Sequence, residues 1–327
     1  PALLEVFSHL MMSIAEQMGT SLQKTATSVN IKERLDFSCA IFDATGALLA
    51  NAPHMPVHLG SMGSSVDSII EANIGGLSAG DAFALNAPYN GGTHLPDITV
   101  VSPVFDTLGR ELLFFVASRG HHADVGGVTP GSMTPLAKTI EEEGVLLDNL
   151  KVLEGGVFQE ARVYSALTDH PYPCRNPAQN IADLKAQLAA NQVGVNELRS
   201  MVNRYSAPVT HAYMGHIQDH AEEVMRQAIV KLSDRGYRYH TDYGATIQVS
   251  IEIDRQRRVA RVNFEGTSAQ QPNNFNAPRP VTIAAVLYAF RVLVRESIPM
   301  NAGCLRPIEL HIPQGCMLSP QWPAAVV

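Results

Sequence analysis

One run of helical periodicity, residues 181–233, constrains this chain most, because it lies between two strand-rich stretches that show no regular strand–helix–strand alternation. Leu184, Leu188, Val193, Leu198 and Met201 begin the run; Val209, Met214, Ile217, Val224, Ile229 and Leu232 continue it. Regular alternation would build a parallel sheet. Its absence predicts an α+β fold with mixed sheets around a central helical block. Before the block, Leu3, Phe7, Leu10, Met11, Ile14, Met18 and Leu22 form one stripe, predicting a helix over 3–23. Two short strands are expected over 36–51, around the turn Asp43-Ala44-Thr45-Gly46. A helix over 62–74 closes at Gly75-Gly76, and strands follow at 82–86, 98–105 and 112–118. Residues 128–180 are rich in Gly and Pro and read as long loops, with one short helix near 139–144. After the block come strands at 246–253 and 258–265, a helix over 281–296 and a strand at 308–312. The expected organisation is an α+β domain over 1–180, the helical block over 181–238 and a second α+β segment over 239–327.

Composition removes several function classes. Against 24 Lys and Arg stand 31 Asp and Glu, a net charge of −7, with no dense basic stretch, so nucleic acid is not the expected partner. No apolar run of about 18 residues occurs, so no membrane span is predicted. Cys39, Cys174, Cys304 and Cys316 are far apart and form no CxxC pair, which predicts reduced thiols in a cytoplasmic protein. No signal or transit segment is expected from these residues. Neither GxGxxG nor GxxxxGK[ST] occurs, so no nucleotide site is assigned to these residues. The chain opens at Pro1 and stops in the apolar Ala324-Ala325-Val326-Val327, so both ends read as cut from a longer polypeptide. The apolar first helix and apolar end are expected to pack on a partner domain, a second copy or further chain, which predicts a homo- or hetero-oligomer.

Chemistry concentrates in two glycine-flanked segments. Asn90-Gly91-Gly92-Thr93-His94-Leu95-Pro96-Asp97 lies between two expected strands, and Pro96 excludes regular helix there. Arg119-Gly120-His121-His122-Ala123-Asp124-Val125-Gly126-Gly127 directly follows another strand. If those strands are neighbours, the two segments meet at one sheet edge. Two imidazoles and one or two carboxylates make a mixed N/O site that suits Mn, Fe or Zn. The bland alternative is that each His bonds a backbone carbonyl in a tight loop. Asp36 begins a strand and can project into the same site. His216 and His220, with Glu223 one turn on, have metal-holding spacing but lie among polar residues, which favours a solvated face. Among Glu141-Glu142-Glu143, Glu143 is the candidate general base, with a solvated acidic turn as the alternative. Cys304 lacks an adjacent His and is expected to be inert.

Several ordered segments carry a family likeness: 28–40 (SVNIKERLDFSCA), 53–60 (PHMPVHLG), 91–97 (GGTHLPD), 117–127 (ASRGHHADVGG), 129–133 (TPGSM), 155–160 (GGVFQE), 186–192 (AQLAANQ), 212–216 (AYMGH), 276–278 and 301–304. Together they resemble the hydantoinase-B/oxoprolinase family across almost the whole chain. The resemblance implies a multi-domain hydantoinase-B-like architecture and a partner, a hydantoinase-A-type subunit or domain. ATP and Mg would be used only through that partner. The implied reaction opens the lactam of 5-oxo-L-proline to L-glutamate, coupled to ATP hydrolysis, with this chain on the hydrolytic side. Alternatives are a component of an N-methylhydantoinase or acetone-carboxylase-like enzyme, or a non-catalytic scaffold.

Carried over residue by residue, the metal ligands would be Asp36, His94, Asp97 and one of the tandem histidines, His121 in preference to His122. A lactam is a poor electrophile because its nitrogen donates into the carbonyl; phosphorylating the oxygen removes that resonance. A metal with open positions then acidifies water near neutral pH. Arg119 or Arg34 would be a bidentate partner for the substrate carboxylate, a structural salt bridge being the equal alternative for each. Ala87 and Asn90 stand where many family members have Asp and His, a departure that bears on substrate choice.

Overall fold

The computed structural model describes residues 2–52, 54–294 and 300–326. Its first half is built from helices α1 (Ala2–Thr25) and α2 (Val29–Lys32), strands β1 (Phe37–Asp43) and β2 (Leu48–Asn51), then helices α3 (Pro56–Leu59) and α4 (Met62–Ala72). Strands β3 (Ala82–Leu85), β4 (Asp97–Phe105) and β5 (Leu112–His121) follow. Next come α5 (Ile140–Glu143), β6 (Leu150–Glu154), β7 (Val157–Phe158) and α6 (Glu160–Thr168). The helical block is α7 (Pro177–Tyr205) and α8 (Ala207–Ile229). The remainder is β8 (Arg235–His240), β9 (Thr246–Asp254), β10 (Val259–Asn263), α9 (Arg279–Leu293) and β11 (Ile308–His311). The architecture is α+β, as the lack of alternation predicts.

Seven strands form an antiparallel sheet in the order β2-β1-β5-β4-β3-β6-β7. The β1–β2 connection turns as expected. Asp43 Oδ1 accepts the Thr45 N–H at 2.9 Å and the Ala47 N–H at 3.0 Å, and Gly46 supplies the positive φ of 90°. Side chains alternate across the sheet. Phe37, Cys39, Ile41, Phe114 and Val116 point toward α1 and α7, while Ala40, Phe42, Val101, Phe115 and Ala117 point toward Met62, Val66 and Ile69 of α4. The α1 stripe packs as its spacing requires: Phe7, Met11, Ile14, Met18 and Leu22 are buried. The smaller sheet has the order β11-β10-β9-β8, with β10 and β11 parallel. Its core is shared with α9 and the last turns of α8, through Val224, Met225, Ile229, Val286, Leu287 and Phe290. Met214 and Ile217 at the other end of α8 pack on the first core.

Four local expectations change. The helical block breaks at Ser206, whose φ is 72°, and α7 begins at Pro177, where the Asn176 side chain accepts the Gln179 N–H at 3.3 Å. Residues 128–180 are not loops around one short helix: besides α5 they contain β6, β7 and α6, the last burying Val163 and Leu167. Strand β8 was not anticipated, because all six of its residues are exposed and only pairing to β9 defines it. The helix expected over 281–296 is α9, ending at Leu293; residues 295 and 296 lie outside the described residues. Among the described residues no helix is long and apolar enough to cross a membrane.

Candidate metal centre

Strands β4 and β5 are neighbours, and their register pairs Asp97 directly with His121. The two segments singled out in the sequence therefore meet at one end of the sheet. Strand β5 runs three residues past its expected end, so Arg119 and His121 occupy strand positions two apart and share the face that looks toward α3 and α4. Asp97 is buried at the centre. Its Oδ1 accepts from His121 Nδ1 at 3.0 Å and lies 3.1 Å from His94 Nε2, an ion-pair contact. Its Oδ2 accepts from His58 Nε2 at 3.1 Å and the Thr93 hydroxyl at 2.8 Å. Burial opposes ionisation of this carboxyl, but the electrostatic pull of the His94 and His58 rings beside it and the hydrogen bonds from His121 and His58 outweigh it and hold its pKa well below the usual range.

The imidazoles differ. Burial lowers the pKa of His58 despite Asp97, so its ring is neutral near pH 7. With its Nε2–H given to Asp97, its Nδ1 accepts the Ser38 hydroxyl at 2.9 Å, which fixes one tautomer. His121 is shifted upward: burial works against protonation, and Asp97 and Asp36 more than offset it. Asp36 sits beside it, Oδ2 to Nδ1 being 3.7 Å, and its carbonyl accepts the His121 N–H at 3.0 Å. Leu35, at a φ of 57°, turns the chain between Arg34 and Asp36. The side chains of His94 and Asp36 are 19% and 28% exposed, against 3% for Asp97, so the cluster opens to solvent on their side.

One ligand atom each from His94, Asp97 and His121 lie within 4.8 Å of one another, and among the described residues no other His, Cys, Asp or Glu group converges in this way. Two ring nitrogens and a carboxylate oxygen, with Asp36 adjacent, fit a borderline divalent ion such as Mn, Fe or Zn. To hold an ion there, His94 and His121 would each have to present an unprotonated ring nitrogen, so binding would release any proton those nitrogens carry. His58 and Thr93 would remain on Oδ2, orienting the ligating carboxylate from behind.

Alternation also separates the tandem histidines. His122 faces the opposite side of the sheet and does not join the cluster, which corrects its inclusion among the candidate ligands. It is wholly buried; burial lowers its pKa, its Nε2–H donates to Gln187 Oε1 at 3.1 Å, and its Nδ1 accepts from Asn180 Nδ2 at 3.1 Å. Gln187 Nε2 also donates to the carbonyls of Ile98 and Ser118, so α7 braces from behind the two strand ends that carry Asp97 and His121.

Arg119 is fully buried and directed at hydroxyls, so the substrate-anchoring role expected of it does not fit its surroundings. Arg34 is exposed, and its guanidinium is near enough to weigh against protonation of His121. Glu143 lies on α5, outside the converging ligand atoms, with its Oε1 accepting the Val326 N–H at 2.7 Å. His216 and His220 are exposed, and Glu223 pairs with Arg258 at 2.7 Å, as a solvated face predicts. All four cysteines are buried and unpaired, and burial raises the Cys304 thiol. His58 is the site residue that sequence reasoning missed. Its segment, PHMPVHLG, stands out in the sequence only through the family likeness, and its partner Asp97 lies 39 residues away.

The chain is similar to several known proteins. The family model described as hydantoinase B/oxoprolinase matches residues 1–327. 5-Oxoprolinase 1 of Arabidopsis thaliana is 45% identical over 99% of the chain, and 5-oxoprolinase of Saccharomyces cerevisiae is 45% identical over 100% of it. The chain spans only 27% and 26% of those two proteins, about a quarter of the length of each. Among solved structures, the ATP-dependent caprolactamase from Pseudomonas jessenii superposes with a TM-score of 0.87 at 27% identity, over 100% of this chain and 56% of that one. The chain belongs to the hydantoinase B/oxoprolinase family.

Proposed function

We propose that this chain is the metal-dependent, ring-opening part of an ATP-dependent 5-oxoprolinase, working with a hydantoinase-A-type partner or domain that uses ATP. The observation that carries the reading is the convergence of His94, Asp97 and His121, beside Asp36, in a chain 45% identical to proteins named 5-oxoprolinase. His94, Asp97, His121 and Asp36 would hold the ion. Bound there, Mn, Fe or Zn supplies Lewis acidity and lowers the pKa of water. The chain's own residues do the rest. His58 and Thr93 fix the Asp97 carboxylate, so its orientation is set before substrate arrives. The buried floor around Asp97 excludes water from below, while the partly exposed edge at His94 and Asp36 leaves an approach for the activated ring. Arg34, exposed beside that edge, offers a bidentate cation to the substrate carboxylate.

The test is formation of glutamate from 5-oxoproline with ATP and the A-type partner, comparing wild type with Asp97→Asn. The reading expects glutamate formation to fall at least about 10³-fold in a variant of unchanged circular dichroism. Wild-type turnover in Asp97→Asn, or turnover that survives exhaustive chelation, would overturn it. If glutamate never forms but other cyclic amides open, the substrate assignment falls and the hydrolytic one stands.

A further inference from the structure

Arg119 presents an energetic problem. It is wholly buried, and among the described residues no carboxylate comes within ion-pairing distance of it. Burial pushes it down to about 10, so it remains a cation at neutral pH. A buried, unpaired charge costs several kcal/mol unless its donors are well used. Here Nε donates to Thr99 Oγ1 at 2.7 Å, one terminal nitrogen to Ser61 Oγ at 2.5 Å and the other to Ser65 Oγ at 2.8 Å.

A guanidinium can only donate, so each serine must direct its single proton elsewhere. Ser61 Oγ donates to the Val57 carbonyl at 2.8 Å, on α3 and next to His58. Ser65 Oγ donates to the Gly91 carbonyl at 2.7 Å, in the loop that carries Thr93 and His94. That loop is pressed onto α4: a Cβ on Gly91 would stand 2.4 Å from the Ser64 carbonyl oxygen, and the Gly91 φ is 91°. One planar fork thus reaches, through two hydroxyls, the two segments that supply partners to opposite oxygens of Asp97.

We infer that Arg119 is a positioning residue, which sets His58 and the His94 loop around Asp97 through Ser61 and Ser65 and does not itself bind substrate. The inference rests on the metal-centre reading above for its consequence, but the linkage itself exists without metal. Lysine cannot replace this arrangement, because a single ammonium lacks the flat fork that reaches three hydroxyls at once.

The experiment uses the full-length protein, with imidazole nitrogen NMR and metal titration with Zn²⁺ or Mn²⁺. Ser61→Ala should move the ring signals of His58 and leave those of His94. Ser65→Ala should move those of His94 and leave those of His58, and Ser65→Thr, which keeps the hydroxyl, should restore them. Arg119→Lys should move both sets and weaken metal binding about 10- to 100-fold. Unmoved His58 and His94 signals in the serine variants would overturn the inference, and they decide it even if Arg119→Lys does not fold. Equally, Arg119→Lys with wild-type metal affinity and a raised KM alone would make Arg119 a substrate-binding group. Should wild type bind neither ion, the metal reading fails, while the ring signals still judge the linkage.

Discussion

Replacing each tandem histidine by alanine should have opposite consequences, because the sheet sends the two rings to opposite faces. In His122→Ala the lost ring is wholly buried, and Gln187 Oε1 loses its donor. Asn180 Nδ2 keeps its other bond, to the Asp124 carbonyl at 2.9 Å. One orphaned acceptor costs about 1–3 kcal/mol, and the cavity left by the ring adds about 2 kcal/mol. The sum, roughly 3–5 kcal/mol, corresponds to a Tm lowered by about 5–15 °C. Metal affinity should hardly change. In His121→Ala, Asp97 keeps three of its four partners, so metal-free stability should fall by only about 1–2 kcal/mol. Metal affinity should fall at least about 100-fold, since a direct ligand matters more than an outer one. Calorimetric scans of metal-free protein and isothermal titration with Zn²⁺ or Mn²⁺ read both quantities. Equal loss of metal affinity in both variants would refute the argument from strand alternation, as would full metal binding by His121→Ala.

Three further outcomes follow from particular contacts. Burial pushes His54 down to about 4, and its Nδ1 accepts the Cys39 N–H at 3.3 Å. Between the unfolded value near 6.5 and about 4 the unfolded chain binds the extra proton, so stability present above pH 6.5 declines as pH falls through that window; urea midpoints of wild type should fall more steeply there than those of His54→Gln, by up to about one proton of linkage. A Cβ on Gly92 would lie 2.3 Å from the Asn86 carbonyl oxygen, which is backbone and cannot rotate away, so Gly92→Ala should lose about 2–4 kcal/mol in chemical denaturation and weaken metal binding through His94. Cys304→Ser should leave turnover within a few-fold, because the thiol is buried and its pKa raised; a loss of about 10³ would point to nucleophilic catalysis.

The parts of this fold legible in sequence are those where local pattern and final packing agree. The α1 stripe, the Asp43–Gly46 turn and the α4 helix each declare themselves within about a dozen residues. The segments missed depend on distant partners. Strand β8 is held only by pairing, and β6 pairs with β3, whose residues lie some 70 positions earlier in the chain. The residues of the His94–Asp97–His121 cluster are legible as types but not as orientations. Arg119-Gly120-His121 has no β-branched residue, so nothing local shows that β5 continues; pairing with β4 carries it on, and that continuation aims His121 and His122 apart. Sequence leaves Arg119 open between a substrate anchor and a structural salt bridge, because Ser61, Ser65 and Thr99, which enclose it, are distant in the chain.

Whether these side chains hold a metal ion decides between a hydrolytic centre and a scaffold. The most direct measurement is elemental analysis of the purified protein, paired with anomalous scattering from its crystals. The account predicts about one Mn, Fe or Zn ion per chain, with its anomalous peak between His94, Asp97 and His121 and within reach of Asp36. Protein that stays metal-free after incubation with all three ions would contradict it. So would a peak beside His122, or one on the exposed face of His216 and His220.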